Sequence, residues 1–236
     1  MVEPFRIHIA DDVLNDLRAR LRHTRWPDQI PGIGWEQGTE LGWLQRLVSY
    51  WADDFDWRAW ERKLDQLQHF TWEGIHFVHR RAESPTGPPL ILTHGWPSSF
   101  LDYVDLLPML PDFDVVVPSL PGYGFSPRPR EVGINYRWIA QRWHRLMLEL
   151  GYPRYGAGGG DFGAGVATVL ALDHPESVVG IHLTTPEFTP DADAAPLTLC
   201  ATASLNGISA LCTANPNRKR RGRDTSRYCP LGVCAR

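Results

Sequence analysis

The residues best suited to chemistry in this 236-residue chain form one run, Gly158-Gly159-Gly160-Asp161-Phe162-Gly163-Ala164-Gly165. A short strand-like stretch precedes it and a helical pattern follows. A nucleophile on a sharp strand-to-helix bend needs this small-x-nucleophile-x-small arrangement, because the turn is tight and the helix packs closely on the strand. The nucleophile position holds Asp161, and the N-terminus of the following helix favours an anion there. The same residues fit a plainer role, with Asp161 as a helix N-cap and nothing more. No GxxxxGK[ST] phosphate loop occurs, and Gly156 to Gly160 lacks the context of a dinucleotide-binding GxGxxG.

A second run, His94-Gly95-Trp96-Pro97-Ser98, follows the apolar strand Leu90 to Thr93. In a fold with such a bend, the loop after this strand supplies one N–H of an oxyanion hole. Pro97 has no N–H, so the Trp96 amide is the candidate donor, and the Phe162 amide supplies the other. His94, Trp96, Pro97 and Phe162 form the expected substrate-binding set. His94 and Trp96 could equally serve only to pack the loop. A third run, Pro121-Gly122-Tyr123-Gly124-Phe125-Ser126, would alone be a turn. The order and spacing of the three together are specific.

An aspartate nucleophile selects a substrate class through bond chemistry. A serine attacking a saturated carbon leaves an ether, with no carbonyl for water to attack. A carboxylate leaves an ester, whose carbonyl belongs to the enzyme and can be hydrolysed inside the oxyanion hole. Asp161 therefore argues for alkyl transfer from an epoxide, an alkyl halide or a haloacid.

The elements needed to position these residues are legible between about residues 73 and 189. Strands are expected at Ile75–Val78, Leu90–Thr93, Val115–Val117, Arg154–Ala157 and Val178–Leu183, and helices at about Ser99–Leu110, Tyr136–Leu150 and Gly163–Leu172. Strand-helix alternation with apolar strands implies an α/β fold, a mostly parallel sheet with helices on both faces. Residues 1–72 form a Trp-rich helical segment. Asp11 or Asp12 caps a first helix with Val13, Leu14, Leu17 and Leu21 on one face, ended by Trp26-Pro27; Leu41 to Trp51 and Trp57 to Leu67 mark two more. Its rings are expected to bury against the core. Over 190–236 the periodicity fades into a tail expected to be poorly ordered, with a basic run at Asn217-Arg218-Lys219-Arg220-Arg221.

A net charge of −3 excludes a global field for nucleic acid. No run nears the roughly 18 apolar residues of a membrane span, and Met1 to Ala10 does not read as a signal peptide. Cytoplasmic placement is the expectation. Cys200, Cys212, Cys229 and Cys234 all fall in the tail without a CxxC or a nearby histidine, so neither a metal nor a disulfide framework is expected. No cofactor is expected, and the oligomeric state is left open.

From about Phe5 to Pro186 the chain resembles the microsomal-type epoxide hydrolase family. The resemblance rests on Thr24-Arg25-Trp26-Pro27, Gly34-Trp35, Tyr50-Trp51, Asp56-Trp57-Arg58, His94-Gly95-Trp96-Pro97, Pro118 to Ser126 and Gly159 to Gly165. It implies a partial α/β-hydrolase fold and cis-epoxide opening to a vicinal diol through an ester on Asp161. It also implies two proton-donating tyrosines on a helical cap and a histidine, held by an acid, that activates water. The family usually has Trp where this chain has Phe162. After Pro186 nothing resembles the cap; the last histidine is His182, and Tyr228 matches neither cap tyrosine. A truncated chain or a frame change near residue 190 is the expectation, with cap and last strands missing, an exposed sheet edge and little turnover. A haloalkane or haloacid dehalogenase shares fold and nucleophile, but Phe162 offers no side-chain donor for a halide and only Trp96 has an indole N–H to offer. A non-catalytic relic is the third reading.

Overall fold

The computed structural model describes residues 1–185 and, by backbone alone, 210–213. Two compact units emerge, Arg6–Gln66 and a larger one of Met1–Phe5 with Leu67–Arg236. Among the described residues no helix is long and apolar enough to cross a membrane.

The larger unit is built on one eight-stranded sheet. Its strands are β1 (Val2–Pro4), β2 (His69–Trp72), β3 (Ile75–Arg80), β4 (Leu90–Thr93), β5 (Val115–Pro118), β6 (Tyr155–Gly160), β7 (Val178–Thr184) and β8 (Ala210–Thr213), in the order β1-β2-β3-β5-β4-β6-β7-β8. β5, β4, β6 and β7 run parallel, while β1, β2 and β3 form an antiparallel meander joined to β5. The central strands are apolar at nearly every position because both faces are covered. Val115, Val116 and Val117 are all buried.

Two helices, α4 (Tyr136–Glu149) and α5 (Phe162–Asp173), lie side by side on one face. Trp143, Leu146 and Met147 of α4 and Val166 and Leu170 of α5 are fully buried against Ile75, Phe77, Ile91 and Val116. Each such side chain contributes about 1.5–3 kcal/mol by leaving water. Asn135 caps α4 by accepting from the Trp138 amide at 3.0 Å. Side chains alternate across a strand, so His76 faces away from Phe77 and its helices. On that other face Phe100 meets the His76 ring edge-on at 5.1 Å.

Several sequence expectations change here. The helix expected over Ser99–Leu110 is two 3₁₀ turns, Phe100–Tyr103 and Leu107–Met109. Pro108 lacks the amide that a continuous α-helix would use. β1 and β2 were not anticipated; both are too short for a clear period-2 signal. β7 is paired antiparallel with β8, which is the last strand in the sheet order. Of the other expectations for the tail, Cys200, Cys229, Cys234 and the basic run lie outside the described residues, and for Cys212 only the backbone, in β8, is described.

The smaller unit holds α1 (Asp11–Arg22), α2 (Leu41–Asp53) and α3 (Trp57–Leu64). Neither Asp11 nor Asp12 is its first cap: α1 begins at Asp11 after Ala10, with no side-chain cap bond. α1 ends at Arg22, before Trp26-Pro27. Glu40 and Asp56 cap α2 and α3 through their carboxylates. Glu61 ties the unit together, accepting from the Ile9 amide and the Trp57 indole and pairing with Arg58. Within this unit Trp35 and Trp43 stack at a tilt with ring centroids 5.4 Å apart.

The sheet also encloses histidines that burial keeps neutral. Burial, with His69 beside it, pushes His76 from 6.5 down to about 3. Burial, aided by Arg81 and opposed by Asp114, pushes His79 down to about 4. The unfolded chain then takes up protons in a window where the folded chain does not. Stability is full above the unfolded value of 6.5 and falls as pH drops through the window, levelling near the folded values. The slope is about 1.4 kcal/mol per pH unit for each histidine fully in that window. Urea unfolding at pH 7.0 and 5.0 should show a loss of about 2–4 kcal/mol from this pair. Equal midpoints at the two values would contradict the assignment.

Candidate active site

β6 delivers the chain to Asp161, and α5 starts one residue later. Asp161 sits at φ 53, ψ −122, in a left-handed region that side chains other than glycine rarely enter. The turn is tight enough that a Cβ on Gly163 would lie 1.8 Å from the Thr93 carbonyl oxygen. A Cβ on Gly95 would lie 2.7 Å from Asp161 Cβ. Small residues are therefore required on both sides of the gap between the β4 loop and the bend.

Two amides from separate loops converge on one carboxylate oxygen. The Trp96 N–H donates to Asp161 Oδ1 at 2.9 Å, and the Phe162 N–H donates to the same atom at 2.7 Å. Neither bond involves Oδ2. The Asp161 carbonyl accepts from Ala164 and Gly165 at the start of α5, while its own N–H donates to Thr185 Oγ1 at 3.2 Å. An ordinary N-cap has extended backbone and accepts from the second or third helical amide. Asp56 and Asn135 follow that pattern, with φ −85 and −138. Asp161 departs in both backbone and partner, so capping alone does not account for it.

The structure brings Asp161, Trp96 and Phe162 together as the sequence suggests. The Trp96 side chain is 63 % exposed at the mouth, next to exposed Pro97, and the Phe162 ring meets Tyr136 edge-on at 5.9 Å. His94 differs from expectation. The sequence sets it among the substrate-binding residues, yet it is 1 % exposed and both ring nitrogens are engaged. Nδ1 lies 3.0 Å from the Gly95 carbonyl oxygen, and Nε2 lies 3.1 Å from the Leu120 amide. Burial lowers its pKa, only partly opposed by the Gly95 carbonyl and Asp102. The imidazole thus has no free edge to offer a ligand.

Sequence reading missed the residues that brace this geometry. Thr185 holds the Asp161 amide from the end of β7. Tyr103 donates to the Thr93 carbonyl oxygen at 2.9 Å, and the Trp143 indole donates to Thr93 Oγ1 at 3.1 Å. None carries a local signal, since each acts across the sheet. Ser126, the last residue of the third run, did carry one. Ser126 Oγ donates to the Ser119 carbonyl oxygen at 2.8 Å, which makes that run a closed loop. Among the described residues no group of three or more His, Cys, Asp or Glu side chains could hold a metal ion.

Known proteins match most of the chain. Residues 2–103 match the family described as "Epoxide hydrolase N terminus", and residues 88–208 match "alpha/beta hydrolase fold". A putative epoxide hydrolase of Stigmatella aurantiaca is 41 % identical over 205 residues, covering 80 % of this chain and 47 % of its own length. Epoxide hydrolase 1 of Oryctolagus cuniculus is 34 % identical, covering 77 % of this chain and 44 % of its own. The chain thus spans a little under half the length of these curated relatives. The juvenile hormone epoxide hydrolase of the silkworm Bombyx mori superposes with a TM-score of 0.72 at 29 % identity, over 78 % of this chain and 53 % of that one. The Aspergillus niger epoxide hydrolase gives 0.73 at 28 %, over 82 % and 54 %. With the bend, the paired amides and both segments in place, the chain belongs to the epoxide hydrolase family of α/β-hydrolases.

Proposed function

We propose that this chain carries the epoxide-opening half of a hydrolase acting on ether bonds, with Asp161 as nucleophile and a small-molecule epoxide as substrate. Oδ2 attacks a ring carbon and forms a C–O bond while the ring C–O bond breaks. The electron pair passes to the epoxide oxygen, which takes a proton from solvent or a donor beyond the described residues. Water then adds to the ester carbonyl carbon. Oδ1 becomes the oxyanion, held by the Trp96 and Phe162 amides; on collapse the Cγ–Oδ2 bond breaks, the vicinal diol leaves with Oδ2 and a proton given up by the water, and the carboxylate keeps the water oxygen. With this reading goes the cytoplasmic location expected from the sequence.

The observation that carries the reading is the unequal pair of oxygens. Both amides converge on Oδ1, which leaves Oδ2 to attack. Donors of this kind typically contribute on the order of 10²–10³ in rate when aimed at the developing charge. The test is incubation with styrene oxide, followed by intact mass and peptide mapping. Expected is a gain of one epoxide mass on Asp161, or styrene glycol in solution if the ester turns over. A folded chain that yields neither sinks the proposal. A 1-chloroalkane in parallel addresses the dehalogenase alternative, which predicts capture of that probe; Phe162 presents no side-chain donor for a departing halide.

A further inference from the structure

The Trp96 amide is the less obvious of the two donors. Phe162 N–H is fixed by α5, but Trp96 lies in a loop and its own side chain is mostly exposed, so its ring does not anchor it. Something else must hold the peptide plane. Gly95 and Trp96 share one peptide group, which is trans, since only Trp96–Pro97 is cis near here. In a trans peptide the C=O and N–H point in opposite directions. Whatever grips the Gly95 carbonyl oxygen therefore sets the aim of the Trp96 N–H.

Two groups hold it: the Ser98 amide donates to the Gly95 oxygen at 3.2 Å across a turn, and His94 Nδ1, the one side-chain contact to that oxygen among the described residues, lies 3.0 Å away. A carbonyl oxygen only accepts, so Nδ1 must carry the hydrogen. At 3.1 Å the Leu120 amide donates to Nε2, which must therefore be bare. The two contacts fix one neutral tautomer. The ring is buried, and Tyr123 meets it edge-on at 5.5 Å. The Leu120 amide is itself held. Its neighbour Ser119 has its amide bonded to the His76 carbonyl oxygen at 2.8 Å and its hydroxyl within 2.9 Å of His76 Nδ1. A buried chain of bonds thus runs from β3 through Ser119, Leu120 and His94 to the peptide that faces Asp161.

We infer that His94 is a positioning residue: its imidazole locks the Gly95–Trp96 peptide plane and so aims the Trp96 N–H at Asp161 Oδ1. This rests on the proposed ester chemistry for its rate effect, but its structural content can be read without any epoxide. Nitrogen-15 NMR of the ring in the 236-residue chain should show the neutral Nδ1–H tautomer at pH 7. An Nε2–H tautomer, or a charged ring, overturns the inference even if an ester forms on Asp161.

Two substitutions separate the two contacts. His94→Asn keeps a donor at the Nδ1 position, whereas His94→Gln keeps an acceptor at the Nε2 position. Expected is adduct formation with styrene oxide within about threefold of the parent for Asn and slowed about tenfold or more for Gln, at unchanged epoxide saturation. Equal rates for the two variants overturn the inference. If the parent forms neither adduct nor diol, the epoxide reading fails and the NMR tautomer still decides this one.

Discussion

Replacing Asp161 by asparagine abolishes capture of an epoxide, by at least about four orders of magnitude, while the fold survives. The two loss mechanisms can be told apart from the geometry. Asparagine keeps an oxygen that can accept from the Trp96 and Phe162 amides, so the hole stays filled and the bend stays braced. It turns the second oxygen into an uncharged NH₂, which has little power to displace an epoxide oxygen from carbon. Unfolding by urea should therefore match the parent within about 1 kcal/mol. Peptide mapping after styrene oxide treatment is the measurement. An adduct that persists on the same peptide in Asp161→Asn would show that another group reacts and would remove Asp161 from its role.

Gly163→Ala has the largest expected effect on stability. The new methyl would lie 1.8 Å from the Thr93 carbonyl oxygen and 2.6 Å from its carbon, both backbone atoms of the neighbouring strand β4. No rotamer change relieves that contact. Either α5 moves off β4 or the strand gives up its register with β6. Overpacking a core usually costs about 1–3 kcal/mol, and a clash with backbone on both sides belongs above that range, at about 4 kcal/mol or more. Circular dichroism and urea unfolding would report it. A Gly163→Ala chain with the parent's unfolding midpoint would mean that the bend is looser than described.

How much of this could be read in the sequence depended on how local each cause was. The strands Leu90–Thr93 and Val115–Pro118 announced themselves because burial on both faces leaves an unbroken apolar run. The bend was legible because steric closeness excludes every residue but glycine at several neighbouring positions. β1 and β2 escaped because three or four residues cannot display a period. The 3₁₀ turns escaped because Phe100, Leu107 and their neighbours carry helical spacing, and only Pro108 opposed it. For the site, Asp161 and its two amides could be inferred from the order of the runs. The place of His94 could not. Its partner Leu120 is 26 residues away, and nothing in a histidine's identity tells a ligand-facing ring from one that holds a loop. Thr185, 24 residues from the amide it holds, was invisible for the same reason.

The bareness of β6 has a further consequence. Gly156, Gly158, Gly159 and Gly160 leave this strand with almost no side chains, and neighbours lean into the space: Leu90 over Gly156, Leu92 over Gly158 and Thr184 over Gly160. The scaffold therefore constrains volume around position 161 far more sharply than it constrains the chemistry at 161. The donors of the hole are main-chain amides, which every residue but proline supplies. A serine or cysteine at that point would meet the same two amides and face acyl carbons in place of alkyl ones. The reaction class rests on one replaceable side chain, held by surroundings that tolerate almost no added atom.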